Sequence, residues 1–193
     1  MHYYTLDTEI RKVIYIMITL ISLSIPILFE SLKNIFGIPE EIGFPLSFGA
    51  IFSFIFLIQD KLTWKLFGNL IPNLNGTWDA SGVSSYKDPK TGENLEYQME
   101  VKIKQTFTKI EIYTETKDST SRSTMASICT QHAVPIFRYS FENTPKNKAD
   151  EELHRHPGLI ELRIKDKNHL EGDYFSGKHR LRFGELIYKR KSK

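Results

Sequence analysis

Arginine, aromatic, hydroxyl and amide side chains recur through the second half of the sequence, within short runs of alternating apolar and polar residues. The residues of this kind that stand out are Tyr97, Arg122, Ser123, Thr124, Arg138, Tyr139, Asn143, Tyr174, Arg180 and Arg182. Arginine binds phosphate through paired hydrogen bonds, aromatic rings stack on nucleobases, and hydroxyl and amide groups hydrogen-bond the edges of bases. Together they predict a site for a phosphodiester ligand.

The ligand-binding residues predicted from this set are Tyr97, Arg122, Thr124, Tyr139, Asn143, Tyr174, Arg180 and Arg182. Arg182 and Tyr174 have further support, because each lies in step with the apolar face of its own run. A structural role remains open for every member, since tyrosine and threonine favour strands in any case and arginine often lies on an outer face.

Other kinds of chemistry find little support. The motifs of zinc proteases, nucleophile elbows, phosphate loops and dinucleotide-binding folds do not occur. His154 and His156 would share one face of a strand, but a third strong ligand is not near them in the sequence, so a polar loop is the preferred interpretation. Cys129 is the single cysteine, which fits a core residue on the reducing side of a membrane. The sequence therefore predicts a protein with no catalytic residue, no metal and no cofactor.

The elements that must position the ligand-binding residues are short strands. The run 95–104 is the clearest, because its apolar and polar residues alternate without exception, as in a half-buried strand. Seven further runs separated by turn residues bring the number to eight: 77–85, 109–116, 120–130, 134–142, 159–165, 169–176 and 180–189. Eight short antiparallel strands at this spacing predict a sandwich or a barrel just wide enough for one small ligand.

The first part of the chain is different in character. Residues 13–29 and 42–58 are two runs of 17 residues without a charge, near the lower limit of about 17–25 residues for a membrane span. Neither run has the polar face of a surface helix. The sequence therefore predicts two transmembrane helices, at about 13–32 and 42–60, within a membrane anchor of residues 1–70. Residues 71–193 would form the all-β domain.

Charges around the two runs predict their orientation. Arg11 and Lys12 precede the first run, and Lys61 and Lys65 follow the second. Since basic flanks stay in the cytoplasm, both termini and the β domain are expected there, with a short periplasmic loop between the helices. The net charge of +3 is too small, and too little clustered, to predict binding of DNA or RNA.

One motif suggests how the barrel is closed. Asn75-Gly76-Thr77-Trp78, at the start of the first strand, is similar to the Gly-x-Trp motif of lipocalin-like barrels. In those proteins the tryptophan plugs one end of the barrel, often beneath an arginine of the last strand. Arg180 or Arg182 is the arginine that the resemblance would place there.

The arrangement as a whole resembles the membrane-anchored β-barrel effectors of CBASS, the bacterial cyclic-oligonucleotide-based antiphage system. The likeness covers almost the whole chain and follows the order helix, helix, barrel. The segments that carry it start at Asn75-Gly76-Thr77-Trp78, Tyr139-Ser140-Phe141, His156-Pro157-Gly158, Leu170-Glu171-Gly172 and Gly184-Glu185-Leu186.

The resemblance implies a function that composition and periodicity do not. A partner nucleotidyltransferase would make a cyclic dinucleotide on infection, and the eight-stranded, lipocalin-like barrel would bind it. The effector would then self-associate in the lipid of the bacterial inner membrane and disrupt that membrane. Two other functions stay open: a membrane-tethered carrier of an apolar ligand, and a protein-binding accessory subunit of a membrane complex. An aliphatic barrel lining would favour the carrier.

Overall fold

The computed structural model describes residues 1–37, 39, 48–62, 64–65, 70–88, 91–146, 155–177 and 181–191. Its short elements are β1 (His2–Tyr3) and β2 (Thr5–Leu6), and its helices are α1 (Ile10–Phe36) and α2 (Phe48–Lys61). The longer strands are β3 (Gly76–Lys87), β4 (Asn94–Gln105), β5 (Lys109–Glu115), β6 (Ser119–Cys129), β7 (Ile136–Pro145), β8 (His156–Ile164), β9 (His169–Ser176) and β10 (Arg182–Arg190). Residues 1–7 and 68–193 form one compact unit, and residues 8–67 form another.

The eight longer strands form a closed antiparallel barrel. Each pairs with its neighbour along the chain, and β10 returns to pair with β3, so that Tyr188 faces Ala80. The predicted eight-stranded barrel is thus confirmed. Most strand boundaries differ from the prediction, by up to three residues. β7 was expected to end at Glu142, but it continues to Pro145 because its last residues pair with the start of β6, and β8 begins at His156 and not at residue 159.

Alternation along the strands builds the barrel interior. On β4, Val101 and Ile103 are buried while Lys102 and Lys104 are exposed. Because successive side chains point to opposite faces of a strand, the apolar set of each strand is turned inward. The buried side chains of β3 to β10 join in one apolar core.

Trp78 fills one end of this core. Its side chain is fully buried, and its indole Nε1 donates a hydrogen bond to the carbonyl oxygen of Leu74 at 3.0 Å. The guanidinium of Arg190 lies 4.5 Å from the centre of the indole ring and donates to the carbonyl oxygens of Asn73 and Asn75. The plug expected of Trp78 is therefore present.

The arginine over Trp78 is not the predicted one. Arg190 pairs directly with Trp78 across β10 and β3, whereas Arg182 lies eight residues away at the other end of β10. At about 3.3 Å per residue, that places Arg182 some 26 Å from the plug. Arg180 lies outside the described residues.

Strands β1 and β2 were not predicted. β1 pairs with the start of β5, and β2 runs parallel to the end of β6. β5 and β6 pair with each other near their connecting turn, so residues 2–6 fill the seam between β5 and β6 at its far end. A hydrogen bond of 2.8 Å joins the His2 ring to the Ser123 hydroxyl, which also accepts one from the Ile112 amide. The domain boundary at residue 70 stays a prediction. In the structure, residues 1–7 also belong to the compact unit that contains the barrel.

Asp7 fastens the segment that follows β2. Its carboxylate accepts hydrogen bonds from the backbone amides of Thr130 and Gln131, at 2.8 and 3.0 Å, and from the Thr130 hydroxyl. Burial opposes ionisation, but these hydrogen bonds outweigh it and hold the pKa of Asp7 below its ordinary value. The ionised carboxylate is therefore the form that stabilises the fold.

Asp7→Asn is expected to lower the melting temperature at neutral pH, because the amide accepts these hydrogen bonds less well than a carboxylate does. A lowered folded-state pKa adds stability above the unfolded value of 3.8, and that stability is lost as the pH falls through the folded value. The difference in melting temperature between wild type and variant should therefore be smaller at acid pH. Thermal denaturation of the full chain in detergent measures it, with the exposed Asp173→Asn as the control. An equal difference at neutral and acid pH would contradict this role.

The helical unit contains a candidate for the first predicted span. α1 has 27 residues, enough to cross a bilayer at about 20 residues per span, and among the described residues it is the one helix whose length and composition suit a membrane. α2 has 14 residues, which is short of a span. Residues 42–47, which the second prediction also included, lie outside the described residues, so the structure supports one candidate span.

Candidate functional site

A cavity of about 400 Å³ opens at the end of the barrel opposite Trp78. It lies at the ends of strands: Tyr86 is eight residues beyond Trp78 on β3, and Arg182 is at the start of β10. The volume is within the range of about 300–1,000 Å³ that small-molecule sites occupy. The lining consists of Ser84, Tyr86, Leu95, Tyr97, Met99, Thr114, Thr116, Asp118, Ser119, Ser121, Tyr139, Phe141, Asn143, His156, Ile160, Tyr174, Ser176, Arg182 and Leu186.

Hydroxyl and amide groups form one side of the cavity, where β5 and β6 meet β7. The Asn143 side-chain amide donates to the hydroxyls of Ser119 and Ser121, at 2.9 and 3.0 Å. The side-chain oxygen of Asn143 is buried and accepts no hydrogen bond from the described residues. Since a buried acceptor without a donor is unfavourable, this oxygen is suited to a donor group on a ligand.

Tyrosines form the floor. The rings of Tyr97 and Tyr174 meet edge to face, with their centres 6.1 Å apart and an angle of 86° between their planes. Below them, the hydroxyls of Tyr139 and Tyr188 are 2.7 Å apart in the core. Burial raises the pKa of Tyr97, Tyr139 and Tyr188 above the ordinary value. The floor is therefore neutral at physiological pH and provides hydrogen-bonding groups without charge.

Arg182 provides a positive charge at the rim. Its guanidinium lies 3.9 Å from the centre of the Tyr86 ring, a cation–π contact that holds the flat side chain against the wall. A guanidinium fixed in this way keeps its N–H donors for an anionic group. The ionisable groups of the described lining besides the tyrosines are Arg182, His156 and Asp118, so the cavity as a whole has little net charge.

The structure brings together five of the eight predicted ligand-binding residues. Those that line the cavity are Tyr97, Tyr139, Asn143, Tyr174 and Arg182. Arg122 and Thr124 are exposed instead, because Ser119 and Ser121 line the cavity and alternate residues of a strand point to the other face. Arg122 lies over the Tyr113 ring at 5.8 Å, and the Thr124 hydroxyl is 2.7 Å from that of Ser140. Arg180 lies outside the described residues.

Several lining residues were missed. Thr114 and Thr116 continue the inward register of Ile110 and Ile112, a signal that was present in the alternation. Phe141 likewise follows Tyr139 by two residues. Tyr86 lay just beyond the predicted end of its strand at residue 85. His156 was assigned to a polar loop, yet it begins β8 and is buried; His154 lies outside the described residues. The described residues contain no group of three metal-binding side chains.

Comparisons with known proteins cover this same domain. A family model described as "Cap15, cyclic dinucleotide receptor domain" matches residues 69–190. The chain is 32% identical to "CD-NTase-associated protein 15" of Yersinia aleksiciae over 159 residues, which are 79% of this chain and 74% of that protein. It is 30% identical to the protein of the same name from Staphylococcus schleiferi over 116 residues, 59% of this chain and 60% of that protein.

Proposed function

The chain belongs to the family of the Cap15 cyclic dinucleotide receptor domain, and on this premise we propose that it is a CBASS effector whose barrel binds a cyclic dinucleotide. The family is described as a receptor, so the proposal includes no catalytic step and no cofactor. The partner would be the nucleotidyltransferase that the relatives' shared name implies. Binding of this second messenger would activate the effector.

The observation that carries this proposal is the lining of the cavity. Arg182 suits a phosphate, the aromatic rings suit bases, and the hydroxyls around Asn143 suit the edges of bases or ribose. An apolar ligand would cover the Arg182 guanidinium and the buried side-chain oxygen of Asn143 without offering either a partner, at a cost in free energy. The lining therefore favours a nucleotide over the fatty ligand of a carrier.

Five residues are proposed as ligand contacts: Tyr97, Tyr139, Asn143, Tyr174 and Arg182. Arg122 and Thr124, which the sequence also suggested, are on the outer face and are not proposed to contact ligand within the cavity. Arg180 remains a candidate ligand contact on the basis of the sequence alone. Binding of DNA or RNA is not part of the proposal, because the net charge of +3 is small and is not clustered.

The second half of the proposal concerns the membrane. α1 supports an anchor in the inner membrane, and the apolar run 42–58 is proposed as a second span. Arg11 and Lys12 precede the first span, and Lys61 and Lys65 follow the second. Because basic flanks stay in the cytoplasm, they favour cytoplasmic termini and a cytoplasmic barrel. We propose that the ligand-bound protein self-associates in the lipid and disrupts the bilayer, causing death of the infected cell.

Energetics restrict how ligand can drive such assembly. A ligand with equal affinity for the free and the assembled protein shifts nothing, however tightly it binds. The barrel must therefore bind the cyclic dinucleotide more tightly in the assembled state. In detergent, the full chain should form larger species with ligand than without it.

Arg182→Ala is expected to weaken binding of a cyclic dinucleotide to the full chain roughly tenfold or more, the scale of a hydrogen bond to a charged group. Isothermal titration in detergent measures it, with cyclic di-AMP, cyclic di-GMP and cyclic GMP–AMP as the panel. Arg182→Lys keeps the charge but not the planar pair of donors, and should recover only part of the affinity.

Arg122→Ala is the matched control, since Arg122 stacks on a tyrosine on the outer face as Arg182 does at the rim. It should bind like wild type. Equal losses in the two variants would contradict the cavity as the site. Wild type that binds fatty acid but no member of the panel would favour the carrier.

A further inference from the structure

Three aromatic rings of the cavity each lie on a glycine of the neighbouring strand. One is Tyr174 of β9, which pairs with Gly184 of β10 and meets Tyr97 edge to face; the other two, Tyr97 and Phe141, stand on separate sides of the cavity. Gly82 of β3 pairs with Tyr97 of β4, and Gly158 of β8 pairs with Phe141 of β7. A β-carbon at Gly82 would be 2.6 Å from Cζ of Tyr97, and one at Gly158 would be 2.5 Å from Cε1 of Phe141. The far end of each ring therefore occupies the space that a side chain on the opposite strand would need.

This contact decides how the rings are oriented. A ring that reaches across to cover the α-carbon of its partner lies along the barrel wall, as in aromatic rescue of strand glycines. The tip of each ring rests against its glycine, and both Tyr97 and Phe141 line the cavity. Tyr97 is further fixed by its edge contact with Tyr174.

The two rings stand on different sides of the cavity. β4 and β7 flank the β5–β6 hairpin, one on each side, and are three strands apart in the closed ring of eight. The hairpin between them presents the hydroxyls of Thr114, Ser119 and Ser121. Arg182 lies on β10, across the barrel from this hairpin. If a base stacked on each ring, the backbone that connects the two bases would therefore lie in the polar centre of the cavity.

We propose that Tyr97 and Phe141 are the two stacking platforms of the receptor, one for each base of the cyclic dinucleotide, and that Gly82 and Gly158 are the residues that seat them. This inference rests on the proposed function and adds to it the division of the cavity into two base subsites. A mononucleotide has one base, so each molecule of it covers one platform.

The test replaces each aromatic ring by leucine, which is apolar but cannot stack on a base. Tyr97→Leu and Phe141→Leu in the full chain should each weaken binding of the cyclic dinucleotide roughly 5- to 150-fold, the range of one base stacked on one ring. Tyr97→Phe and Phe141→Tyr, which restore a ring, should recover most of that loss. Phe175→Leu is the matched control, because Phe175 is an exposed ring on the outer face of β9, and it should bind like wild type.

Variants of the seats test the same geometry without changing a ring. Gly82→Ala and Gly158→Ala should displace Tyr97 and Phe141 from the wall and weaken binding, with melting curves to show that the barrel is folded. With AMP or GMP as the probe, wild type should bind two molecules and each leucine variant one. Leucine variants that bind the dinucleotide like wild type would overturn the platforms alone. Wild type that binds no cyclic dinucleotide would overturn the proposed function, and the platforms with it.

Discussion

Trp78→Ala is expected to lower the free energy of unfolding of the barrel by about 3–5 kcal/mol, the usual cost of truncating a large buried aromatic side chain. Trp78 is fully buried, and the change would also leave the Leu74 carbonyl oxygen without its indole donor and Arg190 without the ring it covers. A loss of this size is a large share of the 5–15 kcal/mol that stabilises most domains.

Thermal and denaturant unfolding of the full chain in detergent should show this loss as a lower melting temperature. Phe175→Ala is the control for removing a ring, because Phe175 is 53% exposed and surface changes are usually within about 0.5 kcal/mol. Ligand affinity should change little at a temperature where the variant is folded, since Trp78 is at the closed end of the barrel. An unchanged melting temperature with lost ligand binding would reverse the assignment of Trp78 as structural.

The second large effect is expected from charges placed on α1. Ile16 and Leu20 are one turn apart on the helix and are 59% and 61% exposed, so both are available to lipid. Arginine costs about 2.5–3.5 kcal/mol at the centre of a span and less towards its ends. Ile16→Arg combined with Leu20→Arg should therefore weaken the insertion of α1, lower the membrane-bound fraction and abolish ligand-dependent killing.

Fractionation of cells that express the partner nucleotidyltransferase, together with survival counts, measures both outcomes. Ile16→Leu combined with Leu20→Ile is the matched control and should stay in the membrane and kill. The double arginine variant should still bind a cyclic dinucleotide, because it leaves the barrel unchanged. A soluble variant that kills as wild type does would remove the membrane from the proposed mechanism.

Periodicity predicted the strands well because each strand of the barrel has one face towards the apolar interior and one towards solvent. The alternation around Val101 and Ile103 is the direct result of one wet and one dry face, and the same register correctly turned Tyr174 and Arg182 inward. Asn143 lies just beyond the predicted end of its strand at residue 142, where the sequence Asn-Thr-Pro favours a turn. Pairing with β6 overrode that local preference, and it placed the asparagine inside the cavity.

Other features had no signal that the sequence could provide. Strands of two residues, such as His2–Tyr3, are too short to show a period. Arg122 and Thr124 were chosen for their chemistry without regard to register. The pairing of β6 with β7 also shifts between Ser123 and Met125, where a bulge changes which residues of β6 face inward. The positions of the glycine seats depend on which residues pair across neighbouring strands. That pairing cannot be read from the sequence before the register of the strands is known.

The short strands in the seam set an order of events during synthesis. Residues 2–6 precede α1 in the chain, whereas their partners in β5 and β6 follow both helices. Chains emerge from the ribosome N-terminal end first, so an apolar helix is available to the membrane before either partner strand exists. Pairings between residues this far apart in sequence are also slow to form. Each newly made molecule therefore finishes its sensing domain after its helices have been made, and the seam is among the last parts of the barrel to be filled.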